Sequence, residues 1–187
     1  NVVSFLYSEL PMMLMTYTGR IISLFILQGL IIMVLKNVII SAESPFSSDA
    51  ISLIDELSKC LQDITGDSGK NSFDANDVCN NRGKFVIARD QSGKAIGCGA
   101  FRPINETTAE VKRMYAKEKG IGIGNKILSY LEHQAYDMGY KTLCLETRIV
   151  NAKAVSFYER NGYKKILSYG KYVGRANSIC FEKILLF

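Results

Sequence analysis

The chain has 187 residues, 48% of them hydrophobic, enough for one domain with a sizeable core plus an appendage. Its net charge is only +5, with Lys and Arg scattered among acids, so nothing demands a nucleic-acid partner, although an anionic cofactor is welcome. The five cysteines, Cys60, Cys79, Cys98, Cys144 and Cys180, are odd in number and never spaced C-x-x-C, and three lie in apolar runs. They read as buried reduced thiols of a cytoplasmic protein. With one histidine, the mid-helical His133, no metal site is expected.

Residues 1–32 differ from the rest. Ile21 to Leu35 carries no charge and lies between Arg20 and Lys36. It is short for a membrane span, which needs about 20 residues. No A-x-A-like cleavage site follows it, and its end merges with an expected strand, Val34–Ser41. Three readings stand: a helix packed on the domain or on a second subunit, a membrane-surface anchor, or translated sequence upstream of a natural start at Met33. The length argument favours the first and third over the membrane. The expected domain therefore covers residues 33–187.

Beyond Met33 the pattern is regular. Ser47 or Ser48 caps a helix whose apolar positions Ala50, Ile54, Leu57, Leu61 and Ile64 have helical spacing. Gly66 to Gly83 is polar and predicts a loop with one short helix near Phe73–Cys79. Phe85–Arg89 and Ala95–Phe101 predict a hairpin joined by Gln91-Ser92-Gly93-Lys94. Strand Ala109–Tyr115, helix Asn125–Met138 stopped by Gly139, and strand Thr142–Thr147 follow. Asn151 caps a helix over Ala152–Arg160, ended by Gly162. Strands Tyr163–Ile166 and Ile179–Ile184 close the chain. Strands first, then helix and strand in alternation, predict an α/β domain with a mixed sheet and helices on both faces.

The most telling stretch is Val111 to Leu128, in which a strand runs into Gly120-Ile121-Gly122-Ile123-Gly124 and a helix follows. Such a junction aims backbone N–H groups and the positive end of a helix at phosphate. A plain tight turn is the competing reading. The Walker pattern fails, because Asn125 follows Gly124, Lys126 comes one place late and Ile127 stands where the hydroxyl belongs. The dinucleotide fingerprint fails too, since the spacing is G-x-G-x-G rather than G-x-G-x-x-G.

At this point the sequence resembles the GNAT superfamily of N-acetyltransferases. The family's acyl-CoA loop has the form Arg/Gln-x-x-Gly-x-Gly/Ala, and Lys119-Gly120-Ile121-Gly122-Ile123-Gly124 fits it with Lys119 in place of Arg or Gln. The family's second motif, Asn followed by a helix with Phe-Tyr and then Gly-Phe/Tyr, is matched by Asn151, Phe157-Tyr158 and Gly162-Tyr163. The resemblance covers Met33 to about Leu185. It implies a mostly antiparallel central sheet with a splayed strand pair, acetyl-CoA as co-substrate, and transfer to a primary amine, on a small molecule or a peptide, by direct attack in a ternary complex.

It also implies the site. The pyrophosphate lies over the N–H groups of Gly120, Ile121, Gly122, Ile123, Gly124 and Asn125, with Lys119 at the entrance. The main chain of Met114, Tyr115 and Ala116, past a bulge, pairs with the pantetheine amides, and Leu145–Thr147 forms the opposite wall near Asn151. Tyr158 is the expected general acid for the leaving thiolate; a packed aromatic is its plainer reading. Glu110 is the expected base, or else a salt-bridge partner of Lys112 or Arg113, with Glu146 as second candidate. Asp67, Asp74 and Asp77 in the 65–83 loop are expected to attract a cationic amine. A module that binds CoA without turnover is the alternative function. The apolar ends of the chain, including Leu185-Leu186-Phe187, point to a homodimer.

Overall fold

The computed structural model describes residues 38–186. The N-terminal extension, the start at Met33, the beginning of the expected first strand and Phe187 lie outside the described residues. Within them the chain order is β1 (Ile39–Ala42), α1 (Ser48–Thr65), β2 (Lys84–Arg89), β3 (Ala95–Pro103), β4 (Thr108–Ala116), α2 (Ile123–Asp137), β5 (Thr142–Arg148), α3 (Ala152–Arg160), β6 (Lys164–Ile166) and β7 (Ser178–Ile184). The strands form one open sheet in the order β1-β2-β3-β4-β5-β7-β6. Only β4 and β5 run parallel; the other pairs are antiparallel.

Local chemistry sets the helix ends. The Ser47 hydroxyl accepts from the Ala50 N–H at 3.2 Å and caps α1. Asn151 does the same for α3, accepting from Ala154 N–H at 3.2 Å. Helix α2 begins at Ile123, two residues earlier than predicted, because Gly122 takes φ 90° and serves as its cap residue. The single short helix predicted near Phe73–Cys79 is two 3₁₀ turns, Lys70–Ser72 and Ala75–Val78.

Alternation along β2 divides the core between two faces. Phe85 and Ile87 pack with Ala50 and Leu53 of α1. Val86 and Ala88 pack with Ile127, Leu128 and Leu131 of α2. Helix α2 lies so close to β3 that a Cβ at Gly99 would stand 2.7 Å from both Ile127 Cγ2 and Met114 Sδ. Of the two apolar C-terminal residues described, Leu185 is buried and Leu186 exposed.

Two irregularities in β4 shape the site. Cys98 pairs with Tyr115 and Ala100 with Lys112, so Gly99 opposes both Arg113 and Met114. This is a β-bulge, and Arg113 sits in it with φ 53°. Further, β4 and β5 pair only over Thr108–Glu110 and Thr142–Cys144. Beyond that point β5 remains paired to β7 as far as Arg148 with Ser178. The β4 edge facing β5 is therefore left without a ladder partner, and the sheet opens into a wedge.

Candidate active site

The wedge leads into a cavity of about 200 Å³. Val111–Met114 of β4 and Glu146–Arg148 of β5 form its walls, with Asn151, Ala154 and Tyr158 beside them. The α1 end and the loop after it, through Ser72, close one side; Lys171, Tyr172 and Arg175 from the β6–β7 connection close the other. The 65–83 loop, expected to face the acceptor, thus contributes to it, as does the β6–β7 connection. No cysteine lines the cavity. Cys98 and Cys144 are buried, and burial pushes each thiol up to about 12, which suppresses the thiolate a covalent route needs.

The glycine turn and the helix of the second motif pack against each other. Gly120 and Gly122 both have positive φ, 84° and 90°. The first-turn N–H groups of α2, those of Ile123, Gly124 and Asn125, have no acceptor inside the helix, and no side chain caps them. The side chains of Ile121 and Ile123 belong to the core, so at these positions the main chain is what faces outward. A Cβ at Gly124 would come within 3.4 Å of the Phe157 ring, and Asn161 donates to Asn125 Oδ1 at 3.2 Å. Lys119 is exposed. Met114, Tyr115 and Ala116 lie on the length of β4 that runs beside β3 but has lost its pairing to β5; Tyr115 donates its hydroxyl to Glu56 of α1 at 3.2 Å, which pins that strand. Asn151 lines the cavity with its Oδ1 committed to the α3 cap, so its amide N–H groups are what it can offer.

Tyr158 projects into the cavity from α3 with its ring centroid 5.1, 5.7 and 6.3 Å from Phe157, Tyr163 and Phe181. Burial raises its phenol well above the usual range, so the hydroxyl keeps its proton at any physiological pH.

Glu110 and Glu146 are placed differently. Glu110 is 1% exposed and is not among the residues lining the cavity. Its Oε2 accepts from Arg102 Nε and Nη2 at 2.9 and 2.7 Å. Its Oε1 accepts from Tyr169 and Tyr172 at 3.1 and 2.7 Å, and Lys112 Nζ lies 3.5 Å away. Burial pulls its pKa upward, but Lys112, Tyr172 and Arg102 outweigh burial and hold it below the ordinary value. The salt bridge weighed from sequence is thus present with Lys112 and absent with Arg113, and Arg102 is its main partner. A carboxylate saturated in this way is a poor proton acceptor. Glu146 lines the cavity and accepts from the Ser178 hydroxyl at 2.6 Å.

The acids expected to draw in a cationic amine are otherwise engaged. Asp67 is bound by Arg148 at 2.6 Å, Asp77 by Arg102, and Asp74 accepts from Asn76 N–H at 2.9 Å. Sequence reasoning missed the cations around the cavity, because they come from the β4 bulge, the end of β5 and the β6–β7 connection, which share no motif.

Comparison with known proteins agrees with this geometry. Residues 51–163 match the model of the acetyltransferase (GNAT) family. An IAA acetyltransferase of Azospirillum brasilense is 31% identical over 154 residues, covering 81% of this chain and all of that protein. The fold is shared with an acetyltransferase of Streptococcus agalactiae (TM-score 0.65, 20% identity, 80% of this chain and 99% of that one). It is shared also with a GNAT acetyltransferase of Elizabethkingia anophelis solved with acetyl-CoA bound (TM-score 0.60, 17% identity, again 80% and 99%). With more than half its length matched by the family model, and with the bulge and wedge opening into one cavity, the chain belongs to the GNAT family of acetyltransferases.

Proposed function

We propose that the protein is an acetyl-CoA-dependent N-acetyltransferase that moves the acetyl group directly to a primary amine held in the same cleft. The observation that supports this is a cavity lined by the β4 edge that β5 leaves unpaired and by Tyr158, with the uncapped N-terminus of α2 packed against the helix that carries Tyr158. Acetyl-CoA supplies an activated acetyl group: as the amine nitrogen bonds to the carbonyl carbon, the C–S bond breaks and sulfur needs a proton. Gly122 to Asn125 offer N–H groups to the pyrophosphate. Met114 to Ala116 offer main-chain groups to the pantetheine amides. Tyr158 gives its proton to the departing sulfur. Glu146, through water, takes the proton that the amine must lose; we assign this role to Glu146 rather than Glu110 because Glu146 faces the cavity. Holding both reactants in one cleft supplies a large part of the rate. A thiol-release assay across a panel of amines tests the activity; failure of acetyl-CoA to bind in calorimetry would overturn it. Tight CoA binding without turnover of any amine would instead favour a non-catalytic CoA-binding module.

Two variants probe the cradle. Lys119→Ala should weaken acetyl-CoA binding by roughly 0.5–2 kcal/mol, since an exposed ammonium acts as a partly screened point charge. Gly122→Val should do more harm, because a β-branched residue resists φ 90° and its side chain would obstruct the approach of a phosphate. Calorimetry that ranks the two the other way would show that side-chain charge, not the fixed N–H groups, dominates.

Glu146→Gln should lower kcat by about 10²-fold near neutral pH and recover part of the loss at high pH, where the free amine needs no base. A pH–rate profile for Glu146→Gln that is parallel to the parent's would remove Glu146 from the proton path.

A further inference from the structure

The acceptor half of the cavity carries more positive than negative charge. Among the described residues, Lys112, Arg113, Arg148, Lys171 and Arg175 share its lining with two acids, Asp67 and Glu146. Asp67 is already committed to Arg148.

Arg113 is the most telling of the five. It is 8% exposed and is held at the bulge with φ 53°. Its Nη2 donates to the Gly69 carbonyl at 2.9 Å, and its guanidinium lies 5.1 Å from the centre of the Phe73 ring. It forms no ion pair among the described residues, and its Nε is buried with no acceptor. Burying a guanidinium without a carboxylate, and leaving a donor unsatisfied, is costly. Two further cations line the same cavity. Lys112 Nζ donates to Tyr172 at 2.8 Å, and the Arg175 guanidinium lies 5.8 Å from the centre of the same Tyr172 ring. The remedy for an unpaired planar fork is an oxyanion of matching geometry.

Resting on the acetyltransferase reading, we infer that the acceptor is a small primary amine bearing an oxyanion, carboxylate or phosphate, which Arg113 and Arg175 receive while its amino group faces Glu146. A polycationic amine has no place here: with Arg148 balanced by Asp67 and Lys112 by Glu110, it would meet Arg113, Lys171 and Arg175 with Glu146 as the one acid left to receive it. The size of the cavity points the same way. Its roughly 200 Å³ is below the ~300–1,000 Å³ of sites for drug-sized ligands, and the thioester arm takes part of it.

The test uses the full chain with saturating acetyl-CoA and follows thiol release. Each standard L-amino acid is compared with its carboxamide, and 2-aminoethyl phosphate and spermidine are included. The same compounds are titrated calorimetrically into the CoA-loaded protein, so that one that binds without reacting is still detected. The anionic amines should be preferred over the matched carboxamides by about tenfold or more in kcat/KM or Kd. Arg113→Met and, as a surface change that spares the core, Arg175→Ala should each cut that preference sharply. Preference for carboxylate over 2-aminoethyl phosphate, or the reverse, identifies the oxyanion. The inference is overturned if spermidine or the carboxamides bind or react as well, or if no anionic amine binds at millimolar concentration. If acetyl-CoA itself does not bind, the acetyltransferase reading fails; if it binds and is used on polycations, only this inference does.

Discussion

Replacing Tyr158 by Phe should lower kcat by about 10²-fold, the lower end of the range for a positioned general acid, and should leave the KM for acetyl-CoA nearly unchanged. The substitution removes one hydroxyl and keeps the ring that packs on Phe157, Tyr163 and Phe181, so the core is preserved. Burial keeps the phenol protonated before transfer; because the same burial makes it a weaker acid, its proton passes only as charge builds on the departing sulfur. Steady-state thiol release, with thermal unfolding as the control for folding, checks the result. A variant that transfers acetyl at the parent rate would remove Tyr158 from the chemistry and leave it a packed aromatic.

Glu110→Ala should destabilise the fold by about 3–5 kcal/mol, the range for removing one member of a buried ion pair. Lys112, 8% exposed, would lose its carboxylate and Arg102 one of its two, while Tyr169 and Tyr172 would lose their acceptor. Urea unfolding measures this directly. The linkage to pH has a definite sign. The Glu110 carboxyl is depressed in the folded state, so its contribution is fully present above the unfolded value of about 4.3. That contribution is lost as pH falls through the lower folded value. Stability of the parent should therefore fall more steeply than that of Glu110→Gln on acidification below about pH 5. If Glu110→Ala kept its stability but lost kcat, Glu110 would be the base and the assignment to Glu146 would be wrong.

The elements were legible because local rules dominate them. The apolar alternation of β2, the Ser47 and Asn151 caps, and the stop at Gly139 each act over a few residues. The glycine turn was legible for the same reason: Gly120 and Gly122 supply positive φ, and the helix start follows within the same short segment. Where expectation and structure diverge, the missing information is long-range. Nothing near Glu110 in the chain shows that Arg102, eight residues before it, and Tyr169 and Tyr172, some sixty residues after it, close around its carboxylate. Asp67 and Asp77 look like bait for an amine until Arg148 and Arg102 are placed against them.

By itself, then, the sequence determined the family, the order of helices and strands, the glycine turn at the head of α2 and the position of Tyr158 on α3, all of which are written in contiguous motifs. Only the tertiary structure decided which carboxylate faces the cavity and what charge surrounds it. Those properties depend on the splay of β4 from β5 and on the bulge that turns Arg113 out of register. Pairing energies between distant strands set both, and a linear pattern does not contain them.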